Sequence, residues 1–220
     1  MFIGHFGVAL AAKKVDKNIS LGLLLFAAVF ADILFFALVL AGVERMSIVP
    51  GITAASPFDF TYYPYSHSLI ASLFWAGLFF VIIKIAAHRY DSLKNRVALV
   101  MGALVLSHFV LDVIAHRADL PLLPGDSYKI GLGLWNYFLA SYLIEVLIVF
   151  IGLWIYLKST KGLTFGGRYG MIIFSIFLLV LFTASMMAPP PSDISGFAIF
   201  ALVYQLLTVL VAAWLDRKRV

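Results

Sequence analysis

Residues 107–116 read Ser-His-Phe-Val-Leu-Asp-Val-Ile-Ala-His, and they end an apolar run that begins near Val97. This run is long and apolar enough to cross a membrane as a single helix. His108, Asp112 and His116 recur every four residues, so at 3.6 residues per turn they lie on one face of that helix. We therefore predict a polar stripe that faces inward from a membrane-spanning helix.

The ionisable groups in this stripe need a physical explanation. A charged side chain at the centre of a bilayer costs at least ~2.5–3.5 kcal/mol, so such residues usually serve a function. A single histidine there is more often a hydrogen-bonded core residue, and a single aspartate can simply pair with a neighbouring helix. Three together are harder to explain by packing, because imidazole and carboxylate are ligands of zinc and related ions. We favour a metal site over a structural polar network.

The composition of the whole chain is that of a membrane protein. Of its 220 residues, 63% are hydrophobic and only 12% are charged, which lies far outside the range of soluble domains. The chain contains no cysteine, so a bound metal would have histidine and carboxylate ligands and no thiolates. The formal net charge of +5 is explained by basic loops and does not indicate nucleic-acid binding.

Six apolar segments are each close to the ~20 residues that a helix needs to cross the hydrocarbon core. They cover residues 20–42, 67–87, 97–116, 135–157, 169–188 and 196–215. Residues 2–12 are too short to span, so we expect a short helix that is either interfacial or half-inserted. Lys13 and Lys14 follow this segment, whereas a cleaved signal peptide carries its charges before the apolar run, so we expect the segment to be retained.

The predicted fold is therefore all-α, a polytopic membrane protein with six transmembrane helices and one short N-terminal helix. We expect a single domain, in which residues 1–157 carry the site and residues 169–215 form two packing helices. All but three of the 16 basic residues lie in loops on one side of this arrangement. The positive-inside rule then places both termini in the cytoplasm. His88 falls in one of these basic loops, where we expect it to be solvated.

Three further segments contribute candidate ligands. His67 lies in Tyr-Ser-His-Ser at a helix start; Ser66 is a common type of helix cap, and we favour His67 itself as a ligand. Asp32 interrupts the apolar run Phe-Ala-Asp-Ile-Leu-Phe-Phe, where a charge has no packing reason, so we favour it as a ligand too. Glu145, in Tyr-Leu-Ile-Glu-Val-Leu-Ile, is either a ligand or the general base.

Depth decides which of these residues can meet. At 1.5 Å per residue, four of them share a middle layer of the membrane: Asp32, His108, Asp112 and Glu145. His67 and His116 lie nearer the outer surface, and His5 joins them only if the N-terminal segment inserts. We therefore expect the cluster to open toward the extracytoplasmic side.

The spacing also bears on the number of ions. His108 and His116 are about 12 Å apart along the helix axis, so both reach one ion only with difficulty through bonds of ~2.0–2.1 Å. Asp112 lies between them and could bridge two ions ~3.5–4 Å apart, an arrangement that suits phosphoester hydrolysis. The alternative is a single ion, with His116 orienting one of its ligands.

These residues also carry a family resemblance. The motifs are Gly4-His5-Phe6, Asp32 in the first span, Tyr65-Ser66-His67-Ser68-Leu69, and Ser107-His108 followed by Asp112 and His116. They resemble the bacterial YdjM-like membrane-bound metal-dependent hydrolases, also described as LexA-binding, inner membrane-associated hydrolases. The resemblance covers about the first two thirds of the chain. It implies a hydrolase in a bacterial or archaeal cytoplasmic (inner) membrane.

That family is similar, more distantly, to the all-helical zinc-dependent phospholipases C and the single-strand-specific zinc nucleases. Their ligands follow an order that this chain repeats as His5, Asp32, His67, His108, Asp112, His116 and Glu145. Those enzymes carry a histidine four residues before the late glutamate, where this chain has Ser141. The likeness therefore implies a site for one or two ions rather than a full three-zinc site.

Together these observations predict a membrane-embedded metal-dependent hydrolase. We expect it to act from the extracytoplasmic side on a phosphoester of a lipid or lipid-linked molecule, with no nucleic-acid partner. The expected cofactor is a divalent metal, zinc first, although carboxylate-rich sites also suit manganese or magnesium. Such an ion lowers the pKa of water toward ~7, and Glu145 or Asp32 is expected to accept the proton.

Two other functions remain open. Buried histidine and aspartate also serve as proton or metal-ion relays in transporters. The two halves of the chain show no inverted repeat, and every candidate ligand precedes Ser159, which weighs against alternating access. In a structural membrane protein, the polar cluster would only tie helices together.

Overall fold

The computed structural model describes residues 1–86, 94–125 and 128–220. Its α-helices in this part of the chain are α1 Gly4–Ala12, α2 Leu21–Leu40, α3 Pro64–His67, α4 Leu69–Ala86, α5 Lys94–Ala115, α6 Phe138–Ser159, α7 Phe165–Met187 and α8 Ile194–Asp216. The strands are β1 Arg45–Ile48, β2 Phe58–Tyr62, β3 Leu120–Pro121 and β4 Lys129–Ile130. Each strand pair forms a small antiparallel ribbon, so the predicted all-α class is confirmed.

Six of these helices, α2 and α4–α8, are long and apolar enough to cross a membrane. The chain is a multi-pass membrane protein, and the six helices correspond one to one to the predicted spans. The bounds differ most at α7, which begins at Phe165 because the side chain of Thr164 accepts a hydrogen bond from the Gly167 amide and caps the helix. The predicted end of the second span, residue 87, and the basic-loop residues His88 and Arg89 lie outside the described residues.

The outward faces of the long helices are apolar, as a lipid environment requires. On α6, Phe150 and Trp154 are 63% and 62% exposed, whereas Glu145 and Val149 are buried. An α-helix satisfies its own backbone hydrogen bonds, so it can present such a surface to hydrocarbon. Among the described residues, the ionisable side chains of these helices thus lie in the interior or near the two ends of the bundle.

The short helix α1 is inserted into the bundle, where it packs against α2, α5 and α6. Glycines allow the close approach to α6: a Cβ atom added to Gly152 would overlap the carbonyl oxygen of Gly7. Small residues permit such backbone contact between helices in membranes. Of the two predicted alternatives for this segment, the structure has the inserted one, and Met1 lies inside the bundle rather than at its surface.

A buried ion pair holds the end of α1. Lys13 Nζ donates to Asp216 Oδ2 and to the carbonyl oxygen of Ile19, each at 2.6 Å. Asp216 also accepts from the Leu21 amide at 2.9 Å and from the Tyr156 hydroxyl at 3.0 Å. These contacts join α1, α2, α6 and α8 at one end of the bundle, which we call the basic end because Lys13 and the C-terminal basic residues lie there.

The two strand pairs cover the opposite end, which we call the hairpin end. β1 and β2 connect α2 to α3, and β3 and β4 lie between α5 and α6. Their apolar side chains, including Phe58 and Leu120, pack with Phe35 and Phe109 into a second core over the ends of α2 and α5. This second core lies at the hairpin end, next to the part of α5 that carries the polar stripe.

Candidate metal centre

The polar stripe of α5 faces the interior, as its spacing predicts. His108 and Asp112 are each 1% exposed, and His108 Nε2 lies 3.1 Å from Asp112 Oδ2. They form one wall of the candidate site.

Two other helices bring their polar residues to this wall. α3 places His67 Nε2 3.3 Å from His108 Nε2 and 3.6 Å from Asp112 Oδ2. α2 places Asp32 Oδ1 3.5 Å from the Nε2 atoms of both His67 and His108. We call these four residues, Asp32, His67, His108 and Asp112, the His–Asp cluster.

The distances within this cluster match those of a metal site. In a tetrahedral zinc site with bonds of ~2.0–2.1 Å, neighbouring ligand atoms lie about 3.3–3.4 Å apart. The two imidazole nitrogens and the Asp112 oxygen form a triangle with sides of 3.1, 3.3 and 3.6 Å. The same nitrogens and Asp32 Oδ1 form a second triangle with sides of 3.3, 3.5 and 3.5 Å. Either triangle fits one face of a tetrahedron.

The proton position on His108 follows from its hydrogen bond. His108 Nδ1 lies 2.8 Å from the carbonyl oxygen of Ala28. A carbonyl oxygen can only accept, so Nδ1 carries a hydrogen. In the neutral ring, which is the form that binds metals, the lone pair is then on Nε2, and this atom faces the cluster.

The same reasoning applies to His67 through a longer chain of contacts. His67 Nδ1 lies 2.7 Å from Ser66 Oγ, which lies 2.6 Å from Glu44 Oε2. Glu44 also accepts the backbone amides of Tyr65 and Ser66 at 2.8 and 3.0 Å. Because the carboxylate accepts the Ser66 hydroxyl hydrogen, Ser66 Oγ accepts from His67 Nδ1, and the His67 lone pair is on Nε2.

The His–Asp cluster therefore consists of acceptors facing one another. Two imidazole lone pairs lie 3.3 Å apart, with a carboxylate oxygen on either side. A structural polar network alternates donors with acceptors, and buried groups without a donor are costly. Such a cluster requires a cation, either a metal ion or a proton shared between the rings.

His5 completes this region from α1. Its ring stacks on that of His108, with centroids 3.8 Å apart and planes 5° apart, and its Nε2 lies 3.3 Å from Asp112 Oδ1. The ring is fully buried, and neither nitrogen has a hydrogen-bond partner among the described residues. Asp112 Oδ1 also contacts the amino nitrogen of Met1. Asp112 thus presents one oxygen to α1 and the other to His67 and His108, as a bridging carboxylate would.

Glu145 is placed differently from the other candidates. Its Oε2 accepts the backbone amides of Phe2 and Gly4 at 2.8 and 3.0 Å, and its Oε1 accepts the Phe2 amide at 3.1 Å. Within the described residues, it is not among the groups whose donor atoms lie close enough to share an ion. The carboxylate instead holds the beginning of α1, which brings His5 to the cluster.

His116 lies one turn beyond Asp112, just after the end of α5. Its Nδ1 is 3.0 Å from Asp119 Oδ1, which also accepts the Tyr63 hydroxyl at 3.0 Å, and its ring centroid is 4.2 Å from that of Trp135. Burial lowers the pKa of the His116 imidazole below its usual value, so the ring is neutral near pH 7. The structure does not bring His116 into the His–Asp cluster, although both line the same cavity.

Sequence reasoning missed the residues that orient the histidines. Glu44 is 1% exposed and Asp119 is 6% exposed, yet both lie in connections between spans, where a charge normally indicates a solvated loop. Ser66 is of the residue type that commonly caps helices, but it bridges Glu44 and His67 instead. It is Ser68 that caps the next helix, by accepting the Ala71 amide at 3.0 Å. The sequence does place Ser66 directly before the candidate ligand His67, and this adjacency could have indicated a residue that orients the ring.

No protein-family model, no curated protein and no solved structure matches the chain. The resemblance to the YdjM-like hydrolases therefore stays a prediction from the motifs. What the chain does at this centre has to be inferred from the chemistry of the residues.

Proposed function

We propose that this chain is a membrane-embedded metal-dependent hydrolase whose divalent ion is held by the His–Asp cluster. One observation carries the proposal: the Nε2 atoms of His67 and His108 face each other at 3.3 Å between two carboxylates. The opposite nitrogen of each ring donates to a fixed acceptor, which is the usual arrangement for histidines that bind metals. Zinc suits two imidazoles and a carboxylate best, and manganese is the next choice.

Burial supports a metal ion over a structural network. His67, His108 and Asp112 are at most 5% exposed, so water cannot neutralise the cluster. The Met1 amino group is the cation at Asp112 Oδ1, and a further cation between Asp112 Oδ2 and Asp32 would offset the cost of burying a second carboxylate at this depth. His5, which is buried without a hydrogen-bond partner for either ring nitrogen and has its Nε2 3.3 Å from Asp112 Oδ1, fits a further ligand, and Asp112 is then placed to bridge two ions.

The proposed reaction is hydrolysis of a phosphoester. When bound, a divalent ion would polarise the phosphoryl oxygens and lower the pKa of a water molecule. Asp32 is the cluster residue with the largest exposure, its side chain being 21% exposed toward the cavity, so we propose it as the proton acceptor. His116, neutral with its Nδ1 hydrogen held by Asp119, keeps a lone pair on Nε2 and can only accept a proton there. We therefore assign to Asp32, once it has taken the proton of the water, the return of that proton to the leaving oxygen.

We further propose that the substrate is a lipid or lipid-linked molecule in a bacterial or archaeal cytoplasmic membrane. The cluster lies toward the hairpin end, whereas basic residues concentrate at the other end, which the positive-inside rule assigns to the cytoplasm. The site is thus reached from the extracytoplasmic half of the membrane. The motif resemblance to the YdjM-like hydrolases supports the same reaction class.

Elemental analysis of the purified protein tests the proposal. We expect one or two equivalents of zinc or manganese per chain in the wild type, and loss of this metal in Asp112→Ala and His67→Ala variants. Asp193→Asn is a matched control. Asp193 is exposed, caps α8 and does not line the cavity that contains the cluster, and asparagine retains the cap. A wild-type protein that binds no metal after incubation with zinc and manganese would refute the proposal.

A proton or metal-ion transporter is the competing function. The facing Nε2 atoms of His67 and His108 could share a proton as readily as a metal ion, and buried relays use the same residue types. Reconstitution into liposomes separates the two proposals, since a hydrolase should give no flux of protons or metal ions above that of empty vesicles. Flux that disappears in Asp112→Ala would favour the transporter.

A further inference from the structure

One continuous cavity of about 700 Å³ connects the His–Asp cluster with an apolar region between α2, α7 and α8. Asp32, His67, Asp112 and His116 form its polar end. Its apolar end is lined by Val29, Phe36, Leu181, Phe182, Phe197 and Phe200. The volume is typical of a site for a small molecule. The part between α2, α7 and α8 is mainly apolar, and its polar lining residues are Ser185, Tyr204, Gln205 and Thr208.

The apolar end reaches the outer surface between α7 and α8. α7 makes few contacts with α6 and α8, whereas α8 packs tightly on α2. Leu181 of α7 and Phe200 of α8 line the cavity and are nevertheless 38% and 64% exposed. Because the outward faces of both helices are apolar, this side of the cavity borders the hydrocarbon of the membrane, whereas residues 53–58 and 189–191 line the cavity at the hairpin end.

The connection between α7 and α8 helps to keep this opening formed. It contains Pro189, Pro190 and Pro191, which line the cavity at the hairpin end. Consecutive prolines restrict the backbone to extended conformations. The two helices are therefore joined by a stiff segment rather than drawn together by a tight turn.

We propose that this apolar end binds one hydrocarbon chain of a membrane lipid whose phosphoester lies at the His–Asp cluster, and that the lipid enters between α7 and α8. The inference rests on the proposed function and deepens it, because it specifies an amphiphilic substrate and its route. Its support is the continuity of the cavity with the cluster and the opening toward hydrocarbon. A water-soluble phosphoester would need neither feature. α7 and α8 then bind substrate, in addition to the packing role predicted from the sequence.

Photolabelling tests this inference without requiring hydrolysis. The probe is octadecyl phosphonate with a diazirine at the end of its chain, added to wild-type protein in lipid nanodiscs. We expect labels to concentrate in residues 178–186 and 197–208, and to decrease about tenfold in Ser185→Trp and Ala201→Trp, which fill the cavity. Ala184→Trp is the matched control, since Ala184 is exposed on the same helix but does not line the cavity.

Labels spread evenly over all lipid-facing helices, and unchanged in the two cavity variants, would overturn the inference. That result leaves metal binding and hydrolysis unaffected, so it is distinguishable from failure of the proposed function. A second measurement compares turnover of hexadecyl phosphate with that of butyl phosphate. We expect the ratio to fall about tenfold in Ser185→Trp and to keep its wild-type value in Ala184→Trp; equal ratios in both would also contradict the inference.

Discussion

Each histidine of the α5 stripe and of α3 has its Nδ1 atom fixed by a specific acceptor. His108 uses the Ala28 carbonyl, His67 uses Ser66, and His116 uses Asp119. In each case the acceptor determines which nitrogen keeps its lone pair. At the residue scale, the ability of each imidazole to bind a metal ion or a proton therefore depends on an acceptor on the far side of its ring.

Ser66→Ala should weaken metal binding. The substitution removes the link between His67 Nδ1 and Glu44, so the ring loses both its orientation and the contact that raises the basicity of Nε2. Loss of such an outer partner typically reduces metal affinity about 10–100-fold. Competition with a fluorescent zinc chelator measures the change in the purified protein.

Ser68→Ala provides the matched control on the other side of His67. Ser68 caps α4 through the Ala71 amide, so its loss should lower stability by about 1 kcal/mol and leave zinc affinity at the wild-type value. Equal zinc affinities for the Ser66 and Ser68 variants would argue against an orienting role for the Glu44–Ser66 pair.

At the scale of elements, α1 is the helix whose position matters most. It has too few residues to span, yet it carries His5 to the cluster because both of its ends are held by buried polar contacts. Glu145 accepts the backbone amides at its beginning, and the Lys13–Asp216 pair holds its end. Between these ends, Gly7 and Gly152 allow α1 and α6 to touch through their backbones.

Gly152→Ala should destabilise the protein and displace α1. The new methyl group overlaps the Gly7 carbonyl oxygen, and such overpacking typically costs about 1–3 kcal/mol. Gly77→Ala is the matched control, because no atom outside the helix backbone lies within 4 Å of a Cβ at Gly77; it should be neutral or slightly stabilising. Thermal unfolding in detergent compares the two, and similar midpoints would show that the α1–α6 contact can relax.

At the scale of the whole molecule, the centre joins segments that are far apart in the sequence. His5 comes from α1, Asp32 from α2, His67 from α3, and His108 and Asp112 from α5. An ion held by these residues cross-links four helices, so its binding free energy contributes to the stability of the folded bundle.

Removal of metal should therefore lower the unfolding temperature. An ion present at about 100 times its dissociation constant adds about 2.7 kcal/mol, which corresponds to a decrease of roughly 5–10 °C on chelation for a chain of this size. The measurement is thermal unfolding with and without EDTA. Asp112→Ala should show no chelator effect; an effect equal to that of the wild type would locate the stabilising metal outside the cluster.

The apolar spans and the buried ionisable residues were predictable from the sequence by itself. Hydrophobicity over about 20 residues and the cost of a charge in hydrocarbon are properties of each segment alone. The six helices and the interior position of Asp32, His108 and Asp112 followed directly from them. The same reasoning left two positions open for α1, because a short apolar helix is compatible with either.

Only the tertiary structure decided which polar groups meet. It brought Glu44 and Asp119 from their connecting segments to His67 and His116, and it directed Glu145 to the backbone of α1 instead of the cluster. It also left an open cavity beside α7 and α8, two helices that the sequence predicted only to pack. A segment's hydrophobicity fixes its depth, whereas the distance between two side chains depends on how separate helices pack, which no local pattern encodes.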